Sequence, residues 1–309
     1  MGRLPRFKNQ LKMKHFPALE KSHRKVNSNN MLELRTGKSH IIRILLECIK
    51  YIINEANIVF SPDSSTQHQN CEKDSITLSI SDRSESVVVF IELKGNEFEH
   101  YFCDNKLVVG VNILELFKVI KTVENDDIIT IHMENNNSNY LFITTENPKT
   151  GQISNTSIQT IDKETEALQI PEMEFDLHMV IPSQRFQKIC KDFLGFKIEQ
   201  IEISVSETHI SFNSAGYNEC SRNVTASCIE QTDDTDNETE ESNGIVFSNH
   251  NTKYKGKFIL KYFEHFIKAT PLSEKVTIYF KKDTALMIRY NVVDVGDMSF
   301  ILFPIKDEE

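Results

Sequence analysis

The residues best suited to chemistry in this sequence are basic side chains that recur at helical spacing. Lys118 and Lys121 stand three positions apart, as do Lys188 and Lys191, so each pair shares one face of a helix. Lysine and arginine contact phosphate oxygens without reading base sequence, which lets a protein slide along nucleic acid. Bases spaced in this way are also typical of an ordinary solvated helix face. The spacing alone leaves both interpretations open.

Four segments with helical periodicity must position these bases. Apolar residues recur in them at steps of three and four, which predicts helices over 41–54, 112–123, 183–194 and 261–268. Strand-forming runs follow at 127–133, 200–212 and 275–291. Helices followed by antiparallel strands predict an α+β fold and disfavour a doubly wound nucleotide-binding sheet.

The sequence lacks the motifs of the common enzyme classes. It contains no phosphate-binding GxxxxGK[ST], no dinucleotide GxGxxG, no HExxH and no GxSxG. His68 and Cys71 share one segment, but two potential ligands do not make a zinc site. We therefore expect no enzyme, no catalytic residues, no metal and no cofactor, and keep a metal-dependent nuclease only as the enzymatic alternative. No apolar stretch approaches the ~18 residues of a membrane span, so no membrane partner is expected.

Charge is distributed unevenly along the 309 residues, whose formal net charge is −10. Residues 1–30 hold eight Lys/Arg and one acid, whereas 230–241 hold seven acids and no base. Like-charged blocks without apolar residues do not order themselves, so we predict a disordered basic arm at 1–30 and an acidic insertion at about 230–250. An acidic total argues against coating nucleic acid with the whole surface, so any such contact requires a local basic patch. The sequence shows no aromatic-laced groove for single strands, which favours duplex.

A linker with Pro, Gly, Ser and Thr but little periodicity divides the ordered chain into halves with two predicted helices each. The predicted organisation is a first domain at 31–150, a connector loop at 151–174 and a second domain at 175–309. Two similar domains are the natural inference from this pattern.

Several short motifs, each weak alone, together resemble one family. They are NEA at 54–56, CD at 103–104 before GVN at 110–112, NDDIIT at 125–130, IPE at 170–172, FQKICKD at 186–192, KATPLS at 268–273 and FPIKDEE at 303–309. They are collinear over roughly nine-tenths of the chain. The sequence is similar to eukaryotic-type proliferating cell nuclear antigen, the DNA sliding clamp.

The resemblance implies a DNA clamp fold, with two helices per domain packed on antiparallel sheets, that assembles head to tail as a homotrimeric ring around duplex DNA. It implies a DNA polymerase processivity factor without catalytic residues that also recruits repair proteins. The implied partners are duplex DNA, further copies of the chain, DNA polymerase, a clamp loader and proteins with clamp-interacting peptides. The implied location is the nucleus, or a viral replication site. The alternative is a checkpoint-type subunit that acts as a repair scaffold in a hetero-ring.

The resemblance also assigns residues. DNA contact falls on basic residues of the four predicted helices: Arg43, Lys50, Lys118, Lys121, Lys188, Lys191, Lys261 and Lys268. Partner binding falls on apolar residues of the connector and the C-terminal strands: Leu168, Ile170, Pro171, Phe175, Ala285, Ile301, Leu302 and Phe303. Without the resemblance, core packing is the ordinary interpretation of the apolar set. Ala285 and Phe303 replace the family's usual proline and alanine, so partner preference is expected to differ.

Two further expectations concern assembly and regulation. The subunit interface is expected to pair the strand around 140–145 with the edge strand around 221–228 of the next subunit. Glu207 replaces the lysine to which eukaryotic clamps attach ubiquitin, which argues against that regulation here.

Overall fold

The computed structural model describes residues 30–62, 74–135, 137–161, 173–196, 198–206, 208–215, 221–227, 245–248, 253–282, 284–293 and 295–305. Nearly all of the predicted basic arm and most of the predicted acidic insertion lie outside these residues, as does Glu207. No helix among the described residues is long and apolar enough to span a membrane.

Eighteen strands and four helices make up this part of the chain. The strands are β1 (Asn30–Thr36), β2 (Glu55–Ser61), β3 (Ser75–Ser81), β4 (Val87–Lys94), β5 (His100–Cys103), β6 (Leu107–Asn112), β7 (Ile128–Glu134), β8 (Asn137–Glu146), β9 (Ile153–Gln159), β10 (Leu177–Pro182), β11 (Gln200–Val205), β12 (His209–Ala215), β13 (Asn223–Ser227), β14 (Val246–Ser248), β15 (Tyr254–Ile259), β16 (Lys275–Lys281), β17 (Ala285–Val292) and β18 (Gly296–Leu302). The helices are α1 (Ser39–Ile49), α2 (Ile113–Lys121), α3 (Ser183–Gly195) and α4 (Leu260–Phe266), with 3-10 turns at Gly95–Glu97 and Ile267–Leu272.

The strands form three antiparallel sheets. The largest has nine strands in the order β14-β10-β16-β17-β18-β4-β3-β2-β6. The second has the order β5-β1-β7-β8-β9, and the third β13-β12-β11-β15. In the largest sheet, β18 from the second half of the chain pairs with β4 from the first, so one sheet joins the halves.

The join between β18 and β4 depends on a glycine. Gly296, at the start of β18, has a positive φ, and a Cβ added there would collide with the carbonyl oxygen of Glu92. Only glycine lets the two backbones approach this closely. The residue thereby helps to hold the two halves in register.

All four predicted helices are present, and their apolar stripes are buried as expected. Asn112 caps α2, because its side chain accepts a hydrogen bond from the amide of Glu115 at 3.0 Å. On α3, Phe186 and Phe193 are fully buried. The α1 helix ends at Ile49, before the predicted end at residue 54, because the chain turns there and the amides of Ile52 and Ile53 both bond to the carbonyl of Ile49.

Two expectations about strands are corrected. Part of the segment predicted as a connector loop, 151–174, is the strand β9, which pairs with β8 along its whole length. In consequence β8 lies between β7 and β9 and has no open edge, so the strand around 140–145 cannot pair with another subunit. The sheet ends at β9 on this side and at β5 on the other. At the other predicted partner, β13 is an edge strand as expected.

Candidate nucleic-acid surface and peptide pocket

The helices lie side by side, so their exposed faces share one surface. Helix α1 packs beside α2 and beside the turn Ile267–Leu272, and α3 packs beside α4. Their apolar residues join a single core beneath the helices. Exposed bases from α2, α3 and α4 lie on the outer side of this layer, which we call the basic layer: Lys118, Lys121, Lys188, Lys191 and Lys261.

Arg43 and Lys268 are partly exposed members of the same layer. The guanidinium of Arg43 donates to Oδ1 of Asn125 at 3.0 Å, a neutral partner that leaves its charge uncompensated. Lys118 forms an ion pair with Glu115 at 2.7 Å, but both side chains are more than half exposed. An exposed pair of this kind contributes about 0–1 kcal/mol, so the lysine remains available to another anion.

The acid on α3 is neutralised from outside the helix. Asp192 accepts a hydrogen bond at 2.7 Å from Arg222, which precedes β13. The Arg222 guanidinium also lies 5.2 Å from the ring centroid of Phe196. Since Asp192 has its own cation, it does not offset the charges of Lys188 and Lys191.

Lys50 departs from the expected position. Its side chain is only 9% exposed, and its Nζ lies 3.7 Å from the ring centroid of Phe117 and 3.8 Å from Oε1 of Glu47. The attraction between an ammonium and an aromatic face stabilises this inward conformation. The expectation that Lys50 contacts DNA is therefore not supported by its placement.

A second apolar cluster lies on the opposite face of the nine-stranded sheet. Its buried members are Ala285, Met287 and Ile301, and Val88, Met173, Phe175 and Tyr279 pack against it. The register explains the grouping, because Tyr279 lies opposite Met287, Met287 opposite Ile301, and Ile301 opposite Val88. Residues opposite one another on neighbouring strands share a face. We call this set the outer cluster.

Three of the predicted pocket residues belong to the outer cluster: Phe175, Ala285 and Ile301. Leu302 does not, because successive residues of a strand point to opposite faces, and Leu302 is buried in the main core with Phe300. That assignment is corrected. Phe303 is 40% exposed, and its amide donates to the carbonyl of Ser86 at 3.1 Å. Leu168, Ile170 and Pro171 lie outside the described residues.

Sequence reasoning missed Val88, Met173, Met287 and Tyr279 in the outer cluster. Met287 could have been predicted from the sequence, because it stands two positions after Ala285 on a strand and so shares its face. Val88 and Tyr279 required knowledge of which strands are neighbours.

Within the described residues, no group of three or more His, Cys, Asp and Glu is arranged to hold a metal ion. The cysteines there are poor nucleophiles. Burial raises the pKa of the Cys103 thiol to about 11, and full burial raises the pKa values of Cys48 and Cys190 further.

The three sheets of the described residues end in six edge strands (β5, β9, β14, β6, β13 and β15), and two of these, β9 and β13, bear on the expected contact between subunits. On β9, Ile153 is 63% exposed, and the strand pairs only with β8. On β13, three of the five residues are exposed, and the strand pairs only with β12. Open edges present rows of N–H and C=O groups that can pair with another chain.

A helical layer with exposed bases, set on antiparallel sheets in two joined halves, defines the class: an α+β DNA clamp. The chain belongs to the proliferating cell nuclear antigen family. The model of the family's N-terminal domain matches residues 31–167, and that of its C-terminal domain matches residues 169–305. A protein of Paramecium bursaria Chlorella virus 1 named "Probable DNA polymerase sliding clamp 1" is 27% identical over 282 residues, covering 90% of this chain and 98% of that relative.

Family membership confirms the α+β clamp fold and the assignment to the sliding clamps of DNA replication. Proteins of this family are scaffolds and not enzymes, so the expectation that the chain is not an enzyme is confirmed as well.

Proposed function

We propose that the chain is a DNA polymerase processivity factor that forms a homotrimeric ring around duplex DNA. The observation that carries the proposal is that one chain has both the basic layer and two open strand edges, β9 and β13. A head-to-tail contact of β9 on one subunit with β13 on the next is heterologous, and such contacts close into a ring when the rotation fits.

The basic layer is proposed to face the DNA. Lys118, Lys121, Lys188, Lys191 and Lys261 supply exposed ammonium groups, and Arg43 and Lys268 add charge beside them. Contacts of this kind are independent of sequence and sensitive to salt. Because a closed ring holds DNA by topology, weak contacts suffice, and the net charge of −10 keeps the remaining surface from adhering to DNA.

The outer cluster is proposed to receive an apolar plug from partner peptides. Three of its members, Phe175, Ala285 and Ile301, were assigned to partner binding from the sequence, and Met287 and Val88 lie beside them. Phe303 lies at the border and is exposed enough to touch a docked segment. DNA polymerase, a clamp loader and repair proteins with clamp-interacting peptides are the proposed partners, at the site of DNA replication, whether nuclear or viral.

The ring is tested by light scattering coupled to size-exclusion chromatography. A chain of 35.7 kDa is expected to give about three times that mass. Ile153→Asp, on the open edge of β9, should yield monomers, because it buries an unpaired charge in the interface. Val293→Asp is the matched control, since Val293 is 57% exposed in the turn between β17 and β18. A monomeric wild-type protein, or a ring that requires unrelated subunits, would overturn the homotrimer.

A further inference from the structure

A groove of about 600 Å³ opens beside the basic layer. It lies between the residues that follow α1, the turn between β3 and β4, and the start of α4. Three aromatic or imidazole rings and two bases line it, together with the exposed Ile259: Tyr51, Arg83, Lys261, Tyr262 and His265.

Tyr51 is the most exposed aromatic side chain in the described part of the molecule, at 64%. Its ring is nevertheless held in place. The Nζ atoms of Lys50 and Lys268 lie 4.8 Å and 4.9 Å from its centroid, and the His265 ring centroid lies 5.7 Å away. Cations beside an aromatic face stabilise its orientation. Tyr51 is therefore an aromatic platform that is both oriented and open to solvent.

Two basic and two acidic side chains line the groove: Arg83 and Lys261, and Asp82 and Glu55. Arg83 and Lys261 are exposed and have no ion-pair partner among the described residues. The carboxylate of Asp82 is occupied by hydrogen bonds from its own neighbours: the Tyr262 hydroxyl at 2.7 Å and the amides of Ser86 and Val87 at 2.8 Å and 3.0 Å. A phosphate that enters beside Arg83 and Lys261 therefore meets two exposed cationic groups that no ion pair among the described residues holds.

The groove extends from the basic layer toward the outer cluster. Lys261 belongs to the basic layer and also lines the groove. At the other end the groove reaches Ser81, which lies opposite Val88 of the outer cluster on the neighbouring strand. A chain that leaves the basic layer can therefore run along the groove toward a partner docked on the outer cluster.

We propose that this groove binds a single-stranded segment of DNA where it leaves the duplex, with one base stacked on Tyr51 and phosphates beside Lys261 and Arg83. Sites for single strands commonly combine aromatic side chains, on which nucleobases stack, with Lys and Arg side chains that contact the phosphates. A base within a duplex has both faces covered by its neighbours, whereas an unpaired base has a face free for Tyr51. The proposal rests on the proposed function, because the duplex is taken to lie against the basic layer.

The test compares single and double strands on the full-length protein at low salt. Fluorescence anisotropy is measured with a labelled oligothymidylate of ~16 nucleotides and with a hairpin duplex of equal phosphate number. Tyr51→Ala is expected to weaken oligothymidylate binding at least about fivefold, the lower end for removal of one stacked ring, and to leave hairpin binding unchanged. Tyr51→Phe keeps the ring and should bind like wild type, as should the control Tyr140→Ala on β8.

Three results would overturn the proposal: no binding of oligothymidylate by wild type, no effect of Tyr51→Ala, or equal weakening of both ligands. Crosslinking with 5-iodouracil in the oligonucleotide provides a readout on the unmutated protein. Crosslinks are expected on the peptide with Tyr51, and crosslinks confined to α2 and α3 would contradict the site. Failure of the trimer in light scattering with a preserved Tyr51 effect would refute the ring and not the groove.

Discussion

The hydroxyl of Tyr262 donates a hydrogen bond of 2.7 Å to Oδ2 of Asp82 and so connects the two matched domains beside the groove. Ser84 also bonds to that carboxylate oxygen, and the amides of Ser86 and Val87 bond to the other. Partial burial raises the pKa of Asp82, but these hydrogen bonds outweigh it and leave the pKa below its usual value. The turn between β3 and β4 is thereby held against α4.

Removing this hydrogen bond should loosen the contact between the domains. Tyr262→Phe is expected to lower the free energy of unfolding by about 1–2 kcal/mol, because a donor to a charged acceptor is removed while the ring remains. Urea unfolding followed by circular dichroism measures the change. Tyr140→Phe is the control, since its hydroxyl is on an exposed side chain of β8. Equal stability of the two variants would show that the bond contributes nothing.

His265 should make stability depend on pH. Burial, then the nearby charge of Lys268, lowers its pKa, although Glu264 opposes the shift. Below about pH 6.5 the unfolded chain therefore binds a proton that the folded chain excludes, and stability falls as the pH drops. The decrease in urea midpoint between pH 7.5 and pH 5.5 is expected to be smaller in His265→Gln than in wild type. Identical decreases would contradict the role of His265.

The bases on α2 and α3 should determine the salt dependence of DNA binding. Lys121→Glu with Lys188→Glu is expected to lower the slope of log affinity against log salt by at least about two, one for each phosphate that a lysine no longer neutralises. With a hairpin duplex as the ligand, Lys50→Met is the matched control, because the buried ammonium of Lys50 lies over Phe117. Anisotropy titrations from low to moderate salt measure the slopes. If Lys50→Met changed the slope and the double variant did not, the assignment of DNA contact to Lys121 and Lys188 would be contradicted.

Neighbouring residues on β18 should behave differently. Ile301→Ala is expected to weaken binding of a consensus clamp-interacting peptide at least about fivefold, since it removes apolar surface from the outer cluster. Leu302→Ala should leave peptide affinity unchanged and cost about 2–5 kcal/mol of stability, because it opens a cavity in the main core. Ile301 is only 3% exposed, so Ile301→Ala should lower stability as well, and the two variants differ in peptide affinity. Calorimetry gives the affinity and urea unfolding the stability. Loss of peptide binding in a fully folded Leu302→Ala protein would show that Leu302 contributes to the peptide pocket.

The helices and the alternation of the long strands could be predicted from the sequence because each depends on local periodicity. The strand β9 escaped prediction because its sequence, ISNTSIQ, is largely polar, and its partner β8 rather than its own pattern makes it a strand. The inward position of Lys50 could not be predicted, because periodicity locates a side chain on a helix and cannot show that Phe117 of another helix lies close to it.

The groove was missed for a related reason. Tyr51, Arg83 and Lys261 are far apart in sequence, and only the packing of α1, the turn after β3 and α4 brings them together. No local motif marks such a site. The expectation that the chain lacks an aromatic-laced groove was reasonable for each segment taken alone.

Retention on circular and linear DNA tests the central claim most directly. The protein is loaded onto nicked circular DNA with a clamp loader and ATP, and the complex is then passed through a sizing column at high salt, which suppresses phosphate contacts. If the chain encircles duplex DNA as a closed ring, it should remain on the circle and dissociate once a single cut makes the DNA linear. Equal retention on circular and linear DNA would contradict encirclement.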